Sequence, residues 1–204
     1  LTDTMWTNDG TISIASVATA TFAGGRFNPG TGVIQGDGDF DLRSGAELGD
    51  GRLRGKIQFF DASVPANATL VNDGEIDFRY DVTNLNSRTA IRSIAGSFSN
   101  AESGVLRLLP SNNSPSFSSS EATLQLDFAN GLTNAGRIEL SEGASSTDDT
   151  GTSEIRILAG TLVNEATGVI AAVTGGGNFV IGGREIRGPL LNRGVIEANV
   201  GLTL

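Results

Sequence analysis

The sequence contains no cysteine and no histidine. Zinc sites built on those residues, thiol nucleophiles, Ser-His-Asp triads and imidazole general bases are therefore excluded. No disulfide can form, so redox compartment cannot be read from pairing, and a large repetitive core does not need disulfides. Lysine is nearly as scarce, with Lys56 alone, and the formal net charge is −9. That balance argues against nucleic acid and anionic membrane surfaces as partners. Tryptophan and tyrosine occur once each beside 10 phenylalanines, which suits aromatics packed inside a core better than a surface platform for sugars. No apolar run approaches the ~20 residues of a membrane span, which speaks against membrane insertion. Nor do apolar residues keep an i, i+3, i+4 spacing, so no helix is expected.

What the chain has instead is a returning phrase: an apolar residue, any residue, Asn, a short turn, Gly, any residue, Ile. It reads W-T-N-D-G-T-I-S-I from Trp6, L-V-N-D-G-E-I-D-F from Leu70, L-T-N-A-G-R-I-E-L from Leu132 and L-L-N-R-G-V-I-E-A from Leu190. A longer form places two more residues between Asn and Gly, at Asn28/Gly32, Asn100/Gly104 and Asn164/Gly168. A two-residue difference that leaves both flanks intact is tolerated by a turn and not by a helix. Self-similarity at this period signals a solenoid, in which one repeat cannot bury its apolar face alone and stacks on the next.

The anchors fall at Asn8, Asn28, Asn72, Asn100, Asn134, Asn164 and Asn192, with Asp50 expected to fill the gap before Asn72. Downstream of each turn the chain alternates with period two, as in Ile138-Glu139-Leu140, and upstream I-x-G-x-F/L-x-N recurs, as in Ile94-Gly96-Phe98-Asn100. These are half-buried strands. The expected fold is all-β, one domain over residues 1–204, a right-handed parallel β-helix of about 7–8 irregular coils, stacked at roughly 4.8 Å each. Glycine and asparagine at the corner are expected to serve a left-handed backbone, which is cheap only for Gly and tolerable for Asn. Asn72, Asn134 and Asn192 should then align, as should Gly74, Gly136 and Gly194.

Few residues are candidates for chemistry. Asp37, Asp39 and Asp41 in G-D-G-D-F-D form the densest acidic cluster on a Gly-rich loop, a conceivable calcium site. The related stretch G-G-G-N-F-V-I at 175–181 keeps Gly and Phe and loses every Asp, so the shared part reads as structural and the acids as decoration on a solvated face. No other cofactor is expected. Two polar insertions, 110–121 and 145–154, are expected to leave the rod as loops, where function concentrates. The carboxylate pairs Asp39/Asp41, Asp148/Asp149 and Glu75/Asp77 are weighed because β-helices also carry polysaccharide lyases and hydrolases. None is expected to sit among clustered cations. Thr2/Thr4, Thr19/Thr21 and Thr150/Thr152 are too scattered for an ice-binding ladder.

L-V-N-D-G-E-I, L-V-N-E-A-T-G-V-I-A-A and L-L-N-R-G-V-I-E-A-N-V-G-L-T-L resemble the degenerate repeats of large secreted or surface β-helix proteins of Gram-negative bacteria, the filamentous-haemagglutinin-like adhesins and autotransporter passenger domains. The resemblance implies export to the cell surface or beyond and a non-catalytic role in adhesion or fibre formation. It transfers no functional residue, because the matched positions are corner and core. The expected partners are neighbouring repeats of a parent chain or a second copy stacked end to end, and a cell-surface or matrix glycan. The rival readings are a polysaccharide-acting enzyme and a calcium- or ice-binding module.

Overall fold

The computed structural model describes residues 4–79, 89–110, 122–141, 151–174 and 182–204. Among them every regular element is a strand and every strand pairing is parallel. A long sheet of eight strands runs from Val195–Ala198 through Val169–Val173, Arg137–Ser141, Val105–Leu109, Glu75–Arg79, Lys56–Phe59 and Asp39–Arg43 to Thr19–Ala23. A ladder sheet of six holds Leu190–Asn192, Leu162–Asn164, Leu132–Asn134, Ser97–Asn100, Thr69–Asn72 and Gly51–Leu53. A third sheet of four holds Thr89–Ile94, Ala122–Phe128, Gly151–Ile157 and Arg184–Arg187. The bridges Val64↔Ile94 and Glu47↔Ser63 carry this third face on to Glu47–Leu48, Arg26–Asn28 and Met5–Thr7. Thr11–Ser13 and Val33–Gln35 form a separate pair.

Neighbours within each sheet come from successive circuits of the chain, which visits third, ladder and long sheets in that order. Parallel strands need such crossovers; here the crossover is made of the other two sheets, an arrangement compatible with a β-solenoid. The period-two pattern then fixes register, since a slip by one residue would turn every apolar side chain outward. Ile57, Ile76, Leu106, Ile138, Ile170 and Ile196 are Cα partners in one inward column. All but the half-buried Ile196 are fully buried. Beside it stack Phe59, Phe78, Leu108 and Leu140, with the two phenylalanine rings 4.9 Å apart. Trp6, by contrast, is exposed.

The link from long to third sheet and the third-sheet strand itself vary in length along the chain. After Arg43, three residues (44–46) reach the third sheet, with Ser44 and Gly45 both at positive φ. Later passages take residues 80–88, 110–121 and 142–150, and the third-sheet strand grows from two residues at Glu47–Leu48 to seven at Ala122–Phe128. The polar stretch 145–154 is therefore part strand: Gly151–Ile157 includes buried Ser153 and Glu154.

Candidate functional site: the asparagine corner and the charged face

Asn72, Asn100, Asn134, Asn164 and Asn192 are Cα partners at the end of the ladder sheet. Each Nδ2 donates to the next Oδ1, at 2.8 Å from Asn72 to Asn100 and 2.7 Å at the three later steps. The same amides donate to backbone carbonyls of the next circuit, at Val105, Arg137, Val169 and Val195. The first four asparagines are buried. A primary amide suits the place because it carries acceptor and donors together and so passes one bond up and one down. Buried amides of this kind are costly unless bonded.

Two expectations about this corner are corrected. None of Gly74, Gly136 and Gly194 has a positive φ, and the only non-glycine that does among the described residues is Ser44. Left-handed backbone is thus not why Gly and Asn stand there. A Cβ on Gly74 would come within 2.1 Å of the Gly55 carbonyl, on Gly136 within 2.2 Å of those of Ala101 and Gly104, and on Gly194 within 2.2 Å of that of Gly168. Glycine is needed because the preceding circuit lies against it.

The second correction concerns the row. Leu53, not Asp50, precedes Asn72 in register; Asp50 instead accepts from the Thr69 amide and donates its own to Asn28 Oδ1. Asn28 aligns with Thr7 on the third face, so Asn8 and Asn28 lie at a different corner from the other five. The local unit is nonetheless the same, with Gly10 N donating to Asn8 Oδ1 at 3.3 Å as Gly74 N does to Asn72 Oδ1 at 3.2 Å. The phrase encodes a corner, and either corner accepts it.

The outward side of the long sheet carries a run of paired charges. One outward row reads Asp41, Gln58, Asp77, Arg107, Glu139, Ala171, Glu197 and the next begins Asp39, Lys56, Glu75. Asp77 is its centre and is buried. Arg107 Nε lies 3.2 Å and Arg79 Nη2 3.4 Å from its oxygens, with Lys56 Nζ at 3.8 Å. Lys56 also reaches Glu75 at 3.5 Å, and Arg107 pairs with Glu75 and Glu139. The Glu75/Asp77 pair therefore does sit among clustered cations, contrary to expectation. Sequence spacing missed this because the cations come from three different circuits. Burial pushes the Asp77 carboxyl above its ordinary value and Glu75 adds to this, against the opposing pull of Arg107 first, then Arg79 and Lys56. Farther on, Arg137 bonds Glu139 at 2.6 Å and passes over Ala171 to Glu197 at 3.1 Å.

The acidic loop is taken apart by the same pairing. Asp41 is buried rather than solvated and accepts from Arg43 at 3.0 Å, while Asp39 faces Lys56 at 3.9 Å and Asp37 is exposed. Among the described residues no three acidic side chains come together as metal ligands. Asp148, Asp149, Thr2, Thr150 and the 175–181 stretch lie outside the described residues. No family model, curated protein or solved structure matches this chain.

Proposed function

We propose that the chain is a non-catalytic structural or adhesive β-solenoid of the bacterial surface or extracellular space, a right-handed parallel β-helix of about 7–8 coils. It acts as a rod segment of an adhesin or as a subunit of a fibre. The observation that supports this best is how the outer charges are used. Lys56, Arg107 and Arg137 each bridge carboxylates of different circuits, so the face brings the rod's own turns together. With the carboxylates thus paired, the reading assigns recognition of a glycan or surface to the edge where the chain passes from long to third sheet and its polar insertions fall. Electron microscopy and glycan-array binding of the purified chain test it. A rod that binds a surface glycan is the expected result, and steady turnover of a polysaccharide overturns it.

A second reading, a polysaccharide-acting enzyme, is favoured by one observation: Asp77 and Glu75 stand beside Lys56, Arg79 and Arg107. It requires depolymerising activity that Asp77→Asn abolishes while the fold persists.

A further inference from the structure

Every other described phenylalanine lies in the core or packs against it, but Phe60 faces outward and is only half-buried. It follows the fully buried Phe59, and successive side chains of a strand take opposite faces. Parallel pairing runs on through it, with Phe60 N donating to Leu42 O at 3.1 Å. Because Phe59 pairs with Leu42 and with Phe78, Phe60 stands in register between Arg43 and Arg79, roughly 4.8 Å from each along the stack. The Arg43 guanidinium carbon lies 3.5 Å from the Phe60 ring centre, and Asp41 fixes it through Nε and Nη2, both at 3.0 Å. Arg79 gives Nη2 to Asp77 at 3.4 Å, and its side chain makes no other hydrogen bond. The two arginine side chains are 32% and 31% exposed where the two aspartates are 7% and 1%. What these pairs turn to solvent is therefore guanidinium edge, not carboxylate.

We propose that Phe60 and Arg79, with Arg43 behind the ring, bind a carboxylated sugar; this rests on the glycan reading above and names the ligand class for it. The place agrees with that reading. Arg43 and Arg79 end their strands of the long sheet and Phe60 follows the end of its own, at the edge where the chain leaves for the third sheet. The chemistry follows from what is offered. A guanidinium only donates, in a planar fork that matches a carboxylate, and it carries no acceptor for a hydroxyl. The ring offers an apolar face on which the C–H side of a sugar can lie. A sugar acid brings the acceptor pair and the apolar side together in one small ligand. The aspartates act through the arginines, holding each fork in place, and are positioning residues. Asp61, next along the chain and exposed, is the acid that opposes such a ligand.

NMR titration of the 204-residue protein tests this with three probes: a glucuronate-bearing oligosaccharide, its methyl ester, and dextran sulfate. Saturable binding of the free acid is expected, at least tenfold tighter than that of the ester or of dextran sulfate. Phe60→Leu keeps an apolar side chain without the ring, and Arg79→Lys keeps the charge beside Asp77 without the fork. Both variants should still melt cooperatively and should each bind the acid at least tenfold more weakly. Phe60→Tyr should bind as wild type does, and Asp61→Asn should bind more tightly. Equal affinity for acid and ester overturns the carboxylate assignment, as does a preference for dextran sulfate. Affinity indifferent to both Phe60→Leu and Arg79→Lys overturns the site. Capture of a neutral glycan by a protein that ignores the acid overturns this proposal alone, whereas turnover of the oligosaccharide overturns the non-catalytic reading beneath it.

Discussion

At the scale of single residues the ladder makes a discriminating demand. Asn134 both accepts from Asn100 and donates to Asn164 at 2.7 Å. Asn134→Ala removes both bonds and leaves a buried donor and a buried acceptor behind, each worth about 1–3 kcal/mol when unsatisfied. Asn134→Asp keeps the shape but turns a donor into an acceptor facing the Asn164 Oδ1, and brings a charge into a buried site. We expect the aspartate variant, though nearly isosteric, to be the less stable of the two at neutral pH and to recover part of the loss in acid. Denaturant melts at two pH values check the order. Asp77 gives the second residue-scale prediction. Its carboxyl titrates above the ordinary value because it is buried, so the folded protein holds that proton more tightly than the unfolded chain. The sign follows: stability falls as pH rises from the ordinary carboxylate range through the raised value. Asp77→Asn cannot lose the proton. Relative to wild type its melting temperature should therefore rise as pH is taken from about 4 to 7; a difference that stays flat or reverses contradicts the burial argument.

At the scale of elements, what the sequence disclosed and what it hid have separate physical causes. Alternation of apolar and polar residues survives any loop length, so inward columns such as Ile76-Leu106-Ile138-Ile170 could be read directly. The third sheet was harder to see, because its strands begin inside polar stretches: Gly151–Ile157 starts within a Ser/Thr/Asp-rich run, and its Ser153 and Glu154 are buried. The corner phrase was legible as a turn and misleading as a coil marker, since the same phrase turns the chain at one corner near Asn8 and at another from Asn72 onward. Nor could linear spacing show the Asp77 cluster, where cations from neighbouring circuits converge. Element packing yields its own prediction. Ile138 is fully buried between Leu106 and Ile170. Ile138→Val should cost about 0.5–1.5 kcal/mol and Ile138→Ala about 2–5 kcal/mol. Ile138→Asp, an unpaired charge in that column, should prevent cooperative folding altogether. Gly136→Ala belongs with it, because a Cβ there meets two backbone carbonyls that no rotamer can move.

For the whole molecule the three corners are unequal, and that inequality governs where the chain can change. At the ladder corner each circuit is tied to the next through side-chain amides and close backbone. At the passage from long to third sheet, by contrast, the link is three residues long after Arg43, nine at 80–88 and 142–150, and twelve at 110–121. Such variation within one molecule means that the sheets do not depend on the length of this link. Closing a longer loop is cheap, each doubling costing roughly 0.6 kcal/mol. Eight Gly/Ser residues inserted between Asn113 and Ser114 less than double that link. The penalty should stay below about 0.6 kcal/mol, which for a domain of this size lowers the melting temperature by no more than about 2 °C. The same eight residues inserted between Asn134 and Ala135 break the ladder and the contact of Gly136 with the preceding circuit, so that variant should fail to melt cooperatively. Calorimetry of the pair gives the comparison directly. Equal tolerance at both places would mean that the amide ladder does not hold the circuits in register, whereas intolerance at Asn113 would mean that this edge belongs to the packed structure and is not free to carry a binding loop.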